Sequence, residues 1–431
     1  MVPCNPEDGP ETPALAPPPK RYWKRYINVF RVLIPAVLVA SLVGWYVARH
    51  QANYRSLDGP PSGASAVHGW IHTNGTALVD ASGKRVILAG VDDSRLDAGQ
   101  GNKHDRCDRV WSATSAADIA NMRSLGFNMD RVGVSWANLE PMAPTVNPNG
   151  SVTHHWNMRY LAALDGEIRD IQADHMVAIL DMHQSGWSPA FTGSECEGHG
   201  LPAWLYTTAQ YSSDAVGVAR CEFFSDTKES GAPEKPQEGF AAVWKMLARR
   251  YASNRTVVGA DMFNEPNWPG FCTGANLSSF YDKVGHAIRV VNHHILLIYE
   301  DKAYSIVPVN DAFLLKQQPT LSNAVYSWHF YPTNWSVGRA SLAAHLARAQ
   351  EWSVPLWIGE FDGFGGSYNI HVKPPLDPNW QSDLRALMKY FKRNRISWSI
   401  WDYDYGGYSV VAPGTTRPKR GLMSVLKRDM S

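Results

Sequence analysis

The sequence predicts a (β/α)8 barrel with enlarged loops over residues 67–410. Eight apolar runs rich in β-branched residues alternate with segments of helical periodicity, which is the pattern of parallel βα units. Many of these runs end in a polar or ionisable residue, and such a barrel gathers its chemistry at the carboxyl ends of its strands. An open doubly wound sheet is the alternative, although no Gly-rich phosphate loop follows an early strand.

The composition is that of a globular protein with one large domain and appendages. The chain has 431 residues, of which 44% are hydrophobic and 19% are charged. Its formal net charge of +1 argues against nucleic acid or another polyanion as the main partner. We therefore predict no nucleic-acid partner, and we expect the protein to be a monomer.

The first 66 residues are predicted to precede the folded domain. Residues 1–26 are rich in proline and end in a basic cluster, which indicates a disordered cytoplasmic tail. Residues 27–48 contain the uncharged run Val32–Ala48 and are predicted to form a single transmembrane helix, an anchor that binds the membrane. Residues 49–66 form a linker, and the rest of the chain is expected outside the cytoplasm. A cleaved signal peptide, and hence secretion, is the alternative.

The barrel strands are predicted from short apolar runs. A β-hairpin comes first, in which Trp70–Val79 turns through Asp80–Gly83 into Lys84–Val91, and its second strand continues into the barrel. The other predicted strands are Asn128–Val134, Met176–Asp181, Val257–Phe263, Ile295–Tyr299, Ala324–His329, Pro355–Glu360 and Ser397–Trp401.

The segments between the strands show apolar residues at helical spacing, and Ser115 is predicted to cap the first helix. The predicted helices are Ser115–Leu125, Asn157–His175, Phe240–Tyr251, Ser278–Val291, Arg339–Trp352 and Asn379–Asn394. The stretch Lys302–Thr320 carries no clear pattern. Residues 411–431 are predicted to form a C-terminal tail whose basic part, Arg417–Arg428, is a solvated surface segment.

Two of the apolar runs end in a glutamate, Glu265 and Glu360. Because parallel strands bring their carboxyl ends to one face of a barrel, we expect the two carboxylates to face each other across a cleft. A retaining glycosidase needs such a pair, with one carboxyl group as acid and base and the other as nucleophile. A surface salt bridge would explain either glutamate alone but is a poor explanation of both.

Other polar or aromatic residues are also predicted at strand ends. The candidates for substrate binding are Arg131, His183, Asn264, His329, Tyr331 and Trp401, and further acids stand at Asp92, Asp93, Asp181 and Glu300. We expect Arg131 to supply positive charge to the carboxylate pair and Tyr331 to donate a hydrogen bond to the nucleophile. Asn264 is expected to donate to the sugar 2-hydroxyl, and Trp401 to lie flat under the reacting sugar.

A metal site is the competing interpretation of these residues. Asp181 and His183 together with Glu300 and His329 offer suitable ligand atoms. However, no two histidines stand four residues apart with a glutamate between them, and no Cys-x-x-Cys occurs. We therefore predict neither a metal nor a cofactor.

Four cysteines follow the predicted anchor, and they allow three pairings among which sequence alone does not choose. The pairing Cys196–Cys221 is favoured because both residues fall in the long Gly-rich loop Gln184–Gly239. Cys107–Cys272 then follows by elimination. Four reduced thiols are the alternative, whereas disulfides agree with an exported chain.

Six short motifs resemble those of family 5 glycoside hydrolases, which are retaining β-glycosidases on a (β/α)8 barrel. The matching residues are Arg131 in DRVGVSW, Asp181-Met182-His183, Asn264-Glu265-Pro266, His329-Phe330-Tyr331, Gly359-Glu360-Phe361 and Trp401. The resemblance extends from about Trp70 to Gly407. It implies that Glu265 is the acid/base and Glu360 the nucleophile.

Within that family the chain looks most like the endoglycoceramidase-related branch. The supporting stretches are WANLEP at Trp136–Pro141, LDMHQSGW at Leu180–Trp187 and GLPAW at Gly200–Trp204. In that branch an acidic residue often follows His-Gln, where this chain has Ser185-Gly186. The resemblance therefore implies a carbohydrate or glycolipid substrate, which is either a glycolipid or a β-glucan or other β-glycoside.

The leading hypothesis is an exported, membrane-tethered retaining β-glycosidase. A transglycosylase would use the same residues, and a catalytically inactive carbohydrate-binding protein of the cell surface is the alternative from another class. The loop Gln184–Gly239 is expected to overhang the cleft and to set specificity, since it follows the third strand.

Overall fold

The computed structural model describes residues 69–98, 111–184, 186–191, 200–206, 215–302, 315–364, 378–404, 409–412 and 414–430. The predicted tail, anchor and linker lie outside these residues, as do Cys107, Cys196 and most of the stretch Lys302–Thr320. Within the described ranges, every helix is too short or too polar to span a bilayer.

The strands are short and mostly buried. In chain order they are β1 (His72–Asn74), β2 (Ala77–Val79), β3 (Arg85–Val86), β4 (Ala89–Asp93), β5 (Met129–Val134), β6 (Thr145–Val146), β7 (Val152–Thr153), β8 (Val177–Met182), β9 (Val257–Asp261), β10 (Leu296–Glu300), β11 (Ala324–Phe330), β12 (Leu356–Phe361) and β13 (Ser397–Ile400).

The helices lie between the strands, as βα units require. They are α1 (Arg95–Ala98), α2 (Ala116–Leu125), α3 (Trp136–Leu139), α4 (Met158–Ala173), α5 (Ala215–Phe224), α6 (Pro236–Arg250), α7 (Leu277–Arg289), α8 (Trp335–Glu351), α9 (Trp380–Asn394) and α10 (Arg420–Met430). Ser115 caps α2 as predicted, because its side chain accepts a hydrogen bond from the Asp118 backbone N–H.

Eight parallel strands close into a barrel, which confirms the predicted architecture. Their order around the barrel is β4, β5, β8, β9, β10, β11, β12 and β13, and β13 pairs with β4 to close it. Helices α2, α4, α6, α7, α8 and α9 alternate with these strands along the chain. Because both faces of such strands are covered, their sequences are apolar almost throughout.

The N-terminal hairpin strands pack with the lower half of the barrel interior. Ile71, Leu78 and Leu88 form one apolar cluster with inward-facing strand residues such as Ile179 and Trp357. This cluster excludes water from the end of the barrel opposite to the strand carboxyl ends. The predicted turn at Asp80–Gly83 is present between β2 and β3, but the predicted strand Trp70–Val79 is itself folded into β1 and β2, so the segment forms a three-stranded sheet that is separate from barrel strand β4.

The structure differs from the predicted solvated tail at the C-terminus. Residues 420–430 form α10, and four of its apolar side chains are buried, namely Leu422, Met423, Val425 and Leu426. Their spacing of three or four residues makes one apolar face, which packs beside α9. The basic residues Lys427 and Arg428 lie on the exposed side. The prediction rested on the basic residues alone and therefore missed a helix with one buried face.

We expect Leu426→Ala to destabilise the domain by about 2–5 kcal/mol, because the side chain is fully buried and its removal leaves a cavity. Urea unfolding of residues 66–431 would measure this loss. The matched control is Lys427→Ala, which removes an exposed side chain from the same helix and should change stability by less than about 0.5 kcal/mol. Equal midpoints for both variants would mean that α10 does not pack as described.

Candidate active site

The carboxyl ends of the barrel strands carry a dense set of charged side chains. Arg131 on β5 lies at its centre and is 1% exposed. Its guanidinium is within 4 Å of five carboxylates, those of Asp92, Asp181, Asp261, Glu300 and Glu360. A buried charge is tolerated only with such partners, so these acids and Arg131 require one another.

Burial raises the pKa of Asp92 and Asp261 well above the ordinary value, although Arg131 acts to lower both. The physical reason is that one guanidinium cannot offset the loss of hydration of several buried carboxyl groups. Burial thus outweighs the attraction of the nearby cation at Asp92 and Asp261.

Glu360 receives a hydrogen bond on each oxygen. Arg131 donates from Nη1 to Oε1 at 2.8 Å, and the Tyr331 hydroxyl donates to Oε2 at 2.8 Å. Two donors from different strand ends fix the plane of the carboxylate. The side chain is 6% exposed, so it is held at the floor of the cleft.

A β-bulge aims Glu360 into the barrel. Trp328 pairs with Ile358 but His329 pairs with Glu360, so Gly359 is an extra residue on β12. Only glycine fits there, since a Cβ atom would lie 2.8 Å from Ser327 Oγ and 3.0 Å from His329 Nε2. The bulge therefore sets both the direction of Glu360 and its approach to His329.

Glu265 lies opposite Glu360, with His329 between them. His329 Nδ1 is 2.9 Å from Glu265 Oε1 and 3.4 Å from Glu360 Oε2. The three side chains each offer an atom within 4.8 Å of the others. Glu265 is 34% exposed, so it faces the open cleft while Glu360 lies beneath it.

The backbone at Glu265 is fixed by Glu300. The Glu265 backbone N–H donates to Glu300 Oε2 at 3.0 Å, and the Glu265 φ of 48° falls in the left-handed region that side chains rarely adopt. His329 Nε2 is 3.1 Å from the other oxygen of Glu300. Glu300 thus positions both Glu265 and its partner His329.

His329 and Glu265 shift each other's pKa in opposite directions. Burial alone would lower the pKa of His329. The negative charges of Glu300 and Glu360, together with the hydrogen bonds that His329 makes to Glu265 and Glu300, instead raise this pKa well above its ordinary value. Burial also acts to raise the pKa of Glu265, yet the hydrogen bond and positive charge of His329 outweigh it and lower that pKa. His329 is therefore a cation that stabilises the Glu265 carboxylate.

His183 and Trp401 form a flat wall beside the carboxylates. Their rings are stacked with centroids 5.3 Å apart, and Asp181 Oδ2 lies 2.7 Å from His183 Nδ1. Burial opposes the charge on His183, but Asp181 raises its pKa to about 9. Asp181 also contacts Arg131 at 3.1 Å, so this wall is joined to the charged centre.

Asn264 precedes Glu265 and is held from two sides. Its Oδ1 accepts from Arg131 Nη2 at 3.0 Å, and its Nδ2 donates to the Gln184 carbonyl at 2.9 Å. The Gln184 side chain donates in return to the Asn264 carbonyl. The amide orientation is therefore set by its neighbours.

All eight predicted site residues lie at this mouth. Six of them form the hydrogen-bonded network around Arg131, and His183 and Trp401 stand beside it. Asp261 was not predicted, although Arg131 Nε donates to it at 3.0 Å. The sequence did indicate it, since a buried aspartate directly after the apolar run of residues 257–260 needs a cation nearby.

A metal could be held only by Glu265, His329 and Glu360 among the described residues. The geometry does not favour it. Both ring nitrogens of His329 lie close to carboxylate oxygens, at 2.9 Å and 3.1 Å, and its raised pKa keeps both protonated. A protonated imidazole has no lone pair to give to a metal.

The disulfide differs from the prediction. Cys221 on α5 pairs with Cys272, with Cα atoms 5.4 Å apart, so the predicted pairs Cys196–Cys221 and Cys107–Cys272 are wrong. Helix α5 packs against the segment that follows β9, since the Phe224 and Trp268 rings are 4.8 Å apart. Proximity along the sequence was thus a poor guide to this pairing.

Comparison with known proteins identifies the family of this chain. The sequence model of the family described as Cellulase (glycosyl hydrolase family 5) matches residues 79–407. An endoglucanase of Paenibacillus polymyxa is 24% identical over 400 residues, covering 84% of this chain and 87% of that protein. Endoglycoceramidase I of Rhodococcus hoagii is 26% identical over 212 residues, which are 46% of this chain and 37% of that protein.

Solved structures share the fold. Endo-glycoceramidase II from Rhodococcus sp., solved as a lactosyl-enzyme intermediate, superposes with a TM-score of 0.61 at 21% identity. The match covers 81% of this chain and 80% of that one.

Barrel, site and family match together define a glycoside hydrolase. More narrowly, the chain belongs to the cellulase family, glycosyl hydrolase family 5, since the match spans well over half of its residues. The predicted family is confirmed, and the relatives include both endoglucanases and endoglycoceramidases.

Peptide mapping of the non-reduced protein should find one cross-linked species that joins the Cys221 and Cys272 peptides. Reduction and alkylation of a parallel sample should abolish that species. A cross-link between Cys221 and Cys196 would contradict the structure and restore the prediction from sequence.

Proposed function

We propose that this protein is a retaining β-glycosidase that cleaves its substrate by double displacement. The observation that carries the proposal is the approach of one Glu265 oxygen and one Glu360 oxygen to within 4.8 Å. Retaining enzymes hold their two carboxyl groups about 5–5.5 Å apart, whereas inverting enzymes leave about 6.5–9.5 Å for a water molecule. The short separation favours direct attack by a carboxylate.

Glu360 acts as the nucleophile in the first step. Its carboxylate attacks the anomeric carbon, and protonated Glu265 gives its proton to the departing glycosidic oxygen. The leaving group departs as an alcohol, and the sugar remains as an ester of Glu360. Arg131 and Tyr331 hold the attacking oxygens in place.

The second step reverses the role of Glu265. The Glu265 carboxylate takes a proton from water, whose oxygen attacks the anomeric carbon and displaces Glu360. The positive charge on His329 favours the ionised form of Glu265 that this step requires. The first step requires the protonated form of Glu265, which the same positive charge disfavours.

The remaining residues bind the sugar. Trp401 offers a flat ring beside the carboxylates, and Asn264, oriented by Arg131, can donate to the 2-hydroxyl, a contact that strengthens in the transition state. The relatives named endoglucanase and endoglycoceramidase support a β-glucan, another β-glycoside or a glycolipid as substrate. The lactosyl-enzyme intermediate of the Rhodococcus enzyme supports the covalent mechanism.

We further propose an extracytoplasmic location for this domain. The Cys221–Cys272 disulfide supports it, because such bonds persist mainly in oxidising compartments. The transmembrane anchor in residues 27–48 stays a prediction from the sequence.

The two glutamates are distinguished by azide rescue. Glu360→Ala should abolish hydrolysis of an aryl β-glycoside, and azide should then attack from the vacated side to give the α-glycosyl azide. Glu265→Ala should slow turnover by about 10²–10⁴-fold, and azide should attack the glycosyl-enzyme to give the β-glycosyl azide. NMR identifies the product anomers.

Glu351→Ala, which removes a mostly exposed acid from α8, is the control and should keep full activity. Failure of the unaltered protein on aryl β-glucosides, β-cellobiosides and glycosylceramides alike would overturn the proposed function. Identical azide products from the two glutamate variants would overturn the assignment of roles.

The charge on His329 predicts a shift in the pH dependence. His329 lowers the pKa of Glu265, so His329→Asn should raise that pKa and keep the acid protonated to higher pH. The alkaline limb of kcat/KM should therefore move to higher pH, even if kcat falls. His293→Asn, on an exposed histidine, should leave the limb unchanged. A limb that stays or moves to lower pH in His329→Asn would refute this role.

A further inference from the structure

The leaving-group side of the cleft is marked by Glu265, because the proposed acid must reach the departing oxygen. The chain that follows Glu265 runs through two residues to Trp268, and the strand next to β9 ends at Glu300, two residues before Lys302. Glu300 is bonded to the Glu265 backbone at 3.0 Å. Trp268 and Lys302 therefore follow the carboxyl ends of two adjacent strands, β9 and β10, on the same face of the barrel as Glu265.

These two residues contact each other. The Lys302 Nζ atom lies 4.4 Å from the centroid of the Trp268 ring, which is a cation–π distance. The Trp268 ring packs in turn on Phe224, and Phe224 belongs to the helix that Cys221–Cys272 joins to the loop carrying Trp268. The indole is thus fixed, and it holds the ammonium group in one place.

Lys302 lacks a counter-ion in the described part of the chain, where no carboxylate oxygen lies within 4 Å of its ammonium group. The side chain is half-buried, and this partial burial lowers its pKa. Most lysines avoid such a position, since a strongly hydrated ammonium loses water there without gaining a partner. An unpaired cation just past the strand end that carries Glu300 is suited to an anion supplied by a ligand.

We propose that Lys302, held by Trp268, binds a negatively charged group on the leaving-group side of the substrate. This inference rests on the proposed function and adds a substrate class to it, namely β-glycosides whose leaving group carries a carboxylate or a phosphate. Lys302 is a specificity residue in this view and takes no part in bond cleavage. A wholly apolar leaving group would gain nothing from it.

The test compares aryl β-cellobiosides, or aryl β-glucosides if these are the better substrates, that differ only at the para position of the leaving phenol. A carboxymethyl and a phosphonomethyl group supply the two anions, and a carbamoylmethyl group supplies a neutral match. The measured quantity is the ratio of kcat/KM for each anionic substrate to that for the neutral one. Comparing the two anions distinguishes a carboxylate partner from a phosphate partner.

The unaltered protein should prefer an anionic substrate by about three- to tenfold in kcat/KM, mainly through KM, and the preference should fall as salt is added. Lys302→Met and Lys302→Gln should bring the ratio close to one, whereas Lys302→Arg should keep most of it. Lys389→Met, which removes an exposed lysine from α9, is the matched control and should leave the ratio unchanged.

A ratio of one in the unaltered protein, or a preference that persists in both Lys302→Met and Lys302→Gln, would overturn the inference. Hydrolysis of the neutral substrate distinguishes this failure from failure of the proposed function. If the neutral glycoside is cleaved without any charge preference, only the role of Lys302 is wrong. If neither the aryl glycosides nor a glycosylceramide is cleaved, the glycosidase proposal is wrong as well.

Discussion

The structure depends on one buried cation. Arg131 is 1% exposed and joins carboxylates from β4, β8, β9, β10 and β12. Removing the guanidinium would leave several buried acids without a partner, and breaking even one buried ion pair costs about 3–5 kcal/mol. The same interaction closes the upper end of the barrel and holds Glu360. Stability and chemistry therefore cannot be separated at this residue.

The excess of carboxyl groups over guanidinium groups explains why the pKa values of two histidines are raised. One guanidinium faces five carboxyl groups, and the pKa values of His329 and His183 are both raised by neighbouring acids, the latter to about 9. Each added positive charge lies next to a different acid. His329 lies within ion-pair distance of Glu265 and Glu300, and His183 lies within ion-pair distance of Asp181. The arrangement gives the two glutamates of the cleft unlike surroundings, which their two proposed roles require.

Much of this was predictable from the sequence, because the barrel pattern is repeated eight times and the polar residues fall where apolar runs end. The eight candidate residues were chosen in this way, and the structure places them together at one mouth of the barrel. Asp261 was missed because the strand was predicted to run to Phe263, whereas β9 ends at Asp261. The disulfide was mispredicted because Cys221 and Cys272 are 51 residues apart and meet only through the packing of Phe224 on Trp268. The amphipathic face of α10 was hidden by its basic residues.

The β-bulge at Gly359 in β12 completes the site, and sequence patterns do not reveal it. In a regular strand, residues an odd number apart face opposite sides, so Trp357 and Glu360 could not both point into the barrel. The extra residue Gly359 allows both. Trp357 then joins the apolar cluster beneath the site, with its ring 5.8 Å from the Arg131 guanidinium, while Glu360 accepts a hydrogen bond from that same group. A water-free floor strengthens every charge interaction above it, since little solvent screens the pair. A single added glycine thus places an apolar floor and the proposed nucleophile on one strand, on either side of one cation.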